Sequence, residues 1–374
     1  MKILYVATVV KKHIMEFHVP YLKLLKEMGW ETAVAARNDY DDPRELSIPY
    51  CDHYHDVPFE RNPFHPGNLK AYRMLVKLMK DEHYDVIHCH TPVGALVGRL
   101  AARKMRKKGT VVMYTAHGFH FYKGAPKKNW LLYYPPEALL SKVTDELITI
   151  NREDYERALK MKAAETVYLP GIGIDIARFA AGDRQDPQLR AELGIPDGVK
   201  VALSVGEVNQ NKNHSLMIDV LPDFKDLYYV VCGSGPLIDS LNEKARIKGV
   251  ADRVRFVGYR KDVDRFYRMA DVFVFPSFRE GLPVALMEAM ACGSVAVASV
   301  NRGTNDLMGE SRLRFNPKNA EDLKGRLNEA LHSDCTDEIQ ANLKRLETFD
   351  IHNTLRIMKD IYEKAADRKE REQL

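Results

Sequence analysis

FPSFREGLPVALMEAMACGSVAVASV, residues 275–300, is the stretch whose reading decides the fold. An aromatic and β-branched run ends at Phe275. Pro276-Ser277 breaks it, and Gly281 and Pro283 then precede an apolar run that reads as a helix over Pro283–Ala291. Gly293 closes that helix, and Val295–Ala298 is a second buried strand. A strand, a helix and a strand, all apolar on nearly every side, form a parallel βαβ unit covered on both faces.

The same alternation runs outward in both directions. Upstream strands are expected at Lys2–Thr8, Glu31–Ala36, Val86–Cys89, Val111–Ala116, Glu146–Thr149 and Thr166–Leu169, with helical patterns at His18–Met28, Leu69–Asp81, Ala95–Lys107 and Arg152–Lys160. Nearer the opening stretch, Val201–Val205, Tyr228–Cys232, Val254–Val257 and Val272–Phe275 read as strands of a second set. The 374 residues exceed what one hydrophobic core usually serves. Turn-rich LPGIG, AAGDRQDPQ and GIPDG place a boundary near residues 165–200. The expectation is an α/β chain of two doubly wound Rossmann-like domains: residues 1–168, residues 169–350, and a terminal helix over 351–374 that need not belong to the nearer domain.

Composition excludes several classes. With 56 basic and 52 acidic residues, the formal net charge of +4 is too weak to argue for nucleic acid. Five scattered cysteines without a C-x-x-C pair read as free thiols in a reducing compartment, not as a zinc site. No apolar run approaches the roughly 20 residues of a membrane span. MKILYVATVV lacks a small-residue cleavage site and reads as a first buried strand, not a leader, so a cytoplasmic location is expected. Gly233-Ser234-Gly235 lacks the third glycine of a dinucleotide fingerprint, and neither a G-K-[ST] loop nor a G-x-S-x-G elbow is present.

Chemistry concentrates around Glu280. Pro283 suits a first helical position, and the unpaired amides of the next turn, with the helix dipole behind them, make a site for an anion such as a diphosphate. Gly281 allows close approach. Glu280 and Glu288 would repel phosphate and suit hydroxyls of a ribose and a sugar. The plain alternative is an acid favouring the helix dipole and a solvated helix glutamate. His88 and His90 lie on alternate strand positions with nothing acidic nearby, so a metal there is disfavoured.

The segment resembles the E-x₇-E signature of the retaining glycosyltransferases of family 4. Further pieces in matching order are SVGEVNQNKNHSLMI at 204–218, VVCGSGPL at 230–237, VRFVGYRKDVDRFYRMADVFVFPS at 254–277 and TAHGFHF at 115–121. The pattern is nearest to bacterial exopolysaccharide and capsule enzymes. The resemblance implies a GT-B fold, with an acceptor-binding N-terminal domain, a donor-binding C-terminal domain and a last helix crossing back. It implies that Glu280 meets donor-sugar hydroxyls and Glu288 holds the ribose. Gly281, Leu282, Pro283 and Val284 lie near the diphosphate and sugar, Lys212 binds phosphate, and Tyr259 and Arg260 fall where the backbone meets the base. His117 would contact the donor sugar, with Gly118 and His120 beside it. It also implies a nucleoside diphosphate sugar as co-substrate, UDP-sugar first, and no cofactor or metal.

Two departures stand out. Glu207 occupies the place of an arginine on the diphosphate, leaving Arg302 or Arg279 to supply the charge. The glycine pair after the first strand is missing, and in TVVKKHIMEFHVPYL the residues His13, Phe17 and His18 are the acceptor-facing candidates. Asp262-Val263-Asp264 is the nearest approach to a metal-binding acid pair, and Asp262 is well placed as a helix N-cap. The basic stretch over 99–108, with Lys127 and Lys128, is a solvated helix face or a weak contact with anionic lipid. Closure of two halves about a hinge near 168–185 would complete such a site. A UDP-sugar 2-epimerase-like isomerase and a non-catalytic sugar-nucleotide-binding protein are the other readings.

Overall fold

The computed structural model describes residues 1–180 and 186–373, so residues 181–185 of the expected hinge lie outside it. Two compact units form: Met1–Gly173 together with His352–Leu374, and Ile174–Ile351.

The first unit is a seven-stranded parallel sheet. Its strands are β1 (Lys2–Val9), β2 (Glu31–Arg37), β3 (His53–Asp56), β4 (Val86–His90), β5 (Val111–Ala116), β6 (Glu146–Thr149) and β7 (Glu165–Tyr168), in the order β3-β2-β1-β4-β5-β6-β7. The order reverses at β1, so the carboxyl ends of β1, β4 and β5 lie side by side. Parallel strands buried on both faces need apolar residues at successive positions. β4 is buried throughout and β1 from Ile3 onward, which places MKILYVATVV in the sheet. The helix Ile351–Gln373 packs on this unit: Met358, Ile361, Tyr362 and Ala365 are buried in the same cluster as Ile3, Tyr5 and Trp30. Tyr362 hydrogen-bonds Tyr5 through its hydroxyl, and Arg368 pairs with buried Asp145 at 2.9 Å.

The second unit has six parallel strands: β8 (Lys200–Val205), β9 (Leu227–Cys232), β10 (Val254–Phe256), β11 (Val272–Phe275), β12 (Val295–Ser299) and β13 (Arg314–Phe315), in the order β10-β9-β8-β11-β12-β13. Its reversal falls between β8 and β11, and crevices at such switch points are where open α/β sheets bind ligands. The helix between β11 and β12 spans Val284–Ala291, one residue later than expected. Pro283 is its N-cap, with extended backbone (φ −83°, ψ 109°); the fixed φ of proline serves that conformation as well as the helical one. Leu286, Met287, Ala289 and Met290 are buried, and full burial of a leucine or methionine side chain is worth about 1.5–3 kcal/mol.

The basic stretch is only partly a solvated face. Arg99 is 1% exposed, pairs with Glu137 through two bonds of 2.6 and 3.0 Å, and lies over the Tyr114 ring. Arg106 pairs with Asp145. Arg103, Lys104, Lys107 and Lys108 remain at least partly exposed.

Candidate functional site

In the second unit, three loops meet at the carboxyl ends of β8, β9 and β11. The loop after β8 is held by its asparagines. Asn209 accepts from the Lys212 amide, Asn211 donates to the Arg279 carbonyl at 2.9 Å, and Asn213 donates to the Pro276 and Pro317 carbonyls. Asn213 adopts a left-handed φ of 55°, a conformation asparagine tolerates. His214 follows at the start of a helix and is buried, with Nδ1 2.9 Å from the Tyr229 hydroxyl, which donates to Ser204. Burial lowers its pKa to about 4.

This frame carries Lys212 to Glu280: Nζ lies 2.9 Å from Oε1, with both side chains mostly buried, and 4.9 Å from the centre of the Phe275 ring. Gly206 is required beneath the lysine, since it adopts a φ of 146° and a Cβ there would stand 3.1 Å from Lys212 Cε. The glycines of Gly233-Ser234-Gly235 have an equally local cause. A Cβ on Gly233 would fall 1.8 Å from the Gly206 carbonyl oxygen, and one on Gly235 2.3 Å from that of Val208. They let two loop backbones touch.

Arg302, 8% exposed, donates from Nε to the Glu280 carbonyl at 3.1 Å. Gly303 beside it would bring a Cβ within 2.9 Å of the Gly281 oxygen, so the helix Arg302–Met308 presses directly on the Glu280–Pro283 loop. The structure therefore brings Arg302 to the same loop as Lys212 and Glu280. Glu288 lies about one turn into its helix, which begins at Val284, and accepts a 2.7 Å hydrogen bond from the buried Tyr267 hydroxyl. The solvated helix glutamate of the plain reading is thus replaced by a half-buried, oriented carboxylate. Glu207 sits before Lys212 and accepts from Asn209 Nδ2 at 3.0 Å.

Tyr259 is 70% exposed, and Arg260 makes a two-pronged pair with Asp262 at 2.8 and 2.7 Å. Asp262 occupies the N-cap position of the helix Val263–Met269 but makes no side-chain cap. Its carboxylate is spent on Arg260, which holds its pKa below the usual range. Asp264 pairs with Arg268.

In the first unit, the expected acceptor residues divide. His13, Gly118 and His120 line a pocket of about 510 Å³ with Lys12, Arg61 and Phe64. His18 is instead 2% exposed and bonds His13, Nε2 to Nε2, at 3.1 Å. Phe17 lies edge-on to the His13 ring. His117, just past β5, has its ring centre 4.8 Å from that of His13, and burial lowers its pKa to about 4. His90 joins them, and ligating atoms of His13, His18, His90 and His117 all lie within 4.8 Å of one another. Sequence reading paired His90 with His88; the fold pairs it with three histidines from other loops. His88 bonds Tyr362 and Thr115.

Two doubly wound parallel α/β units, the second with Lys212 against Glu280 beside a helix start at its switch point, define the class of architecture. Residues 185–346 match the family model "Glycosyl transferases group 1", and residues 2–151 match "Glycosyl transferase 4-like". EpsD of Bacillus subtilis (strain 168), which carries the name of a glycosyltransferase, is 39% identical over 372 residues, covering 96% of each chain. The chain belongs to this glycosyltransferase family and is an enzyme of the GT-B fold. The Escherichia coli UDP-Gal:alpha-D-GlcNAc-diphosphoundecaprenol alpha-1,3-galactosyltransferase is 29% identical over 253 residues, 64% of each chain. The structure of Anabaena Alr3699/HepE in complex with UDP and glucose superposes with a TM-score of 0.79 at 19% identity, covering 97% of this chain and 100% of that one. Among the described residues, no helix is long and apolar enough to cross a membrane.

Proposed function

We propose that the chain transfers a sugar from a nucleoside diphosphate, UDP in the first instance, to a lipid-linked or glycan acceptor in exopolysaccharide, capsule or lipopolysaccharide assembly, with retention of anomeric configuration. The observation that carries this reading is the 2.9 Å contact between Lys212 and Glu280 at the start of the helix Val284–Ala291. With no donor bound, the two charges satisfy each other. An arriving diphosphate offers Lys212 a denser negative charge, and Glu280 turns to the hydroxyls of the sugar. Arg302 and the amides of Gly281, Leu282 and Val284 share the phosphate charge, which answers for the acid at Glu207. Glu288, oriented by Tyr267, receives the ribose hydroxyls, and Tyr259 and Arg260 border the base.

In the reaction, the bond from the anomeric carbon to the phosphate oxygen breaks as the acceptor oxygen bonds to the same face. The departing phosphate oxygen takes the acceptor's proton, so no protein nucleophile enters. Neutralisation by Lys212, Arg302 and amides makes Mg²⁺ or Mn²⁺ at the diphosphate unnecessary. His117, neutral at physiological pH, can donate or accept a hydrogen bond toward the sugar without adding charge. The pocket beside His13 and His120 pairs Phe64, Phe119 and Phe121 with Lys12 and Arg61, a lining suited to an acceptor with an apolar carrier and an anionic head. That acceptor, with the cations Arg103, Lys104, Lys107 and Lys108, fits a cytoplasmic enzyme working at the membrane surface.

The relatives support transfer over the isomerase and binding-protein readings, since those reported above are named as glycosyltransferases. Substitution Glu280→Gln tests the assignment: turnover should fall about 100-fold or more while the melting temperature moves little. Equal losses of fold and activity would reduce Glu280 to a structural residue.

A further inference from the structure

The first unit holds a cluster of four histidines, of which the proposed transfer calls on one, His117, for a hydrogen bond. His13 sits on the turn Val10–Ile14 after β1, and His18 immediately before the helix Val19–Glu27. His90 is the last residue of β4, and His117 follows β5. Three neighbouring strands thus deliver four imidazoles to one point, though the residues lie far apart in sequence.

Imidazoles around a zinc-class ion hold nitrogen about 2.0–2.1 Å from the metal, which sets ring centres of a tetrahedral set about 5 Å apart. The observed ring-centre separations are 4.0 Å for His18–His90, 4.8 Å for His13–His18 and for His13–His117, 5.5 Å for His18–His117, 5.8 Å for His90–His117 and 6.1 Å for His13–His90. They bracket that value. A second observation is independent of the spacing. His90 is 1% exposed and neither of its ring nitrogens has a hydrogen-bond partner, and Nε2 of His117 is likewise buried without one. Buried polar atoms are ordinarily paired, and three unpaired ring nitrogens gathered at one point leave room for a ligand that takes their lone pairs. His88 is the internal contrast: equally buried, with its ring centre 4.2 Å from that of His90, it has both nitrogens bonded to hydroxyl groups, those of Tyr362 and Thr115.

We propose that His13, His18, His90 and His117 bind one divalent transition-metal ion of the zinc class, which ties together the chain segments following β1, β4 and β5. Neutral nitrogen ligands without a carboxylate select zinc, cobalt or nickel over magnesium or calcium. Burial keeps all four imidazoles unprotonated at neutral pH, the form that ligates.

The test uses the full chain without a histidine tag, expressed with added zinc or cobalt and then desalted. Metal analysis should find roughly one ion per chain, and the cobalt form should show the intense visible bands of tetrahedral coordination. His18→Ala and His90→Ala should each weaken binding by about 100-fold, and exposed His332→Ala should leave it unchanged. Zinc restored to stripped wild-type protein should raise its melting temperature, and Mg²⁺ should not. If His90→Ala fails to fold, the cobalt spectrum of the wild type and His13→Gln still decide. A wild type that retains no metal and whose melting temperature ignores zinc, cobalt and nickel would overturn the proposal. So would equal metal retention by all three histidine variants of the cluster. None of these readouts depends on sugar transfer.

Discussion

Lys212 is the residue whose loss should be simplest to read. Its ammonium group faces Glu280 and the ring of Phe275, and in the proposed reaction it meets the diphosphate there. Lys212→Ala should weaken UDP and UDP-sugar alike by about 1.5–3 kcal/mol, the worth of one charge-assisted contact, measured by calorimetry. Unchanged UDP affinity would remove the lysine from the site. His214, two residues on, makes a prediction about pH. In the fold it is held neutral, chiefly by burial and then by Lys212, with its pKa near 4 against 6.5 when unfolded. The unfolded chain therefore takes up a proton below pH 6.5 that the folded chain refuses, and stability is lost as pH falls from about 6.5 toward 4. The loss from this residue is at most about 3 kcal/mol. Chemical denaturation at both ends of that window should show the loss, and a stably folded His214→Gln should show less of it.

Between residues and molecule stand the strand-end loops, where backbone contact leaves no room for substitution. Gly233→Ala would drive a methyl group into the Gly206 carbonyl, so the loops after β8 and β9 must part. Overpacking of this kind costs about 1–3 kcal/mol and should lower UDP affinity with stability, because the Gly206 loop carries Lys212. Stability and affinity both at wild-type values would contradict this packing. The strands themselves were legible: Val111–Ala116 and Val272–Phe275 follow from apolar, β-branched and aromatic runs that suit a sheet covered on both faces. The edge strand His53–Asp56 was not, since HYHD is polar and lies against a single neighbour. The helix Lys127–Ser141 was hidden by Pro135 and Pro136 inside it. At the candidate site, Lys212, Glu280 and Glu288 could be singled out because each lies in a short motif, while the contacts of Lys212 with Glu280 and of Glu288 with Tyr267 came from the fold. The meeting of His90 with His13, His18 and His117 was not, because it depends on the order β1-β4-β5, which no local pattern encodes.

At the scale of the whole molecule, the proposed reaction draws its donor-binding residues from the unit Ile174–Ile351 and its acceptor-binding residues from the other. In the proposed reaction Lys212, Arg302 and backbone amides meet the diphosphate in place of an exchangeable divalent ion. Turnover of desalted enzyme should therefore change less than about two-fold on adding Mg²⁺ or Mn²⁺, a shift below about 0.4 kcal/mol in barrier. Strict dependence on Mn²⁺ would direct attention to Asp262 and Asp264, which here are engaged by Arg260 and Arg268.

In the proposed reaction, a sugar leaves a nucleoside diphosphate only when an acceptor receives it. Release of UDP from UDP-sugars, followed with and without a lipid diphosphate saccharide, tests this most directly. Wild-type enzyme should release UDP only with the acceptor present and yield a product of unchanged anomeric configuration by NMR; Glu280→Gln should do so about 100-fold more slowly. UDP-sugar consumed or rearranged without any acceptor, or Glu280→Gln turning over at the wild-type rate, would contradict the account.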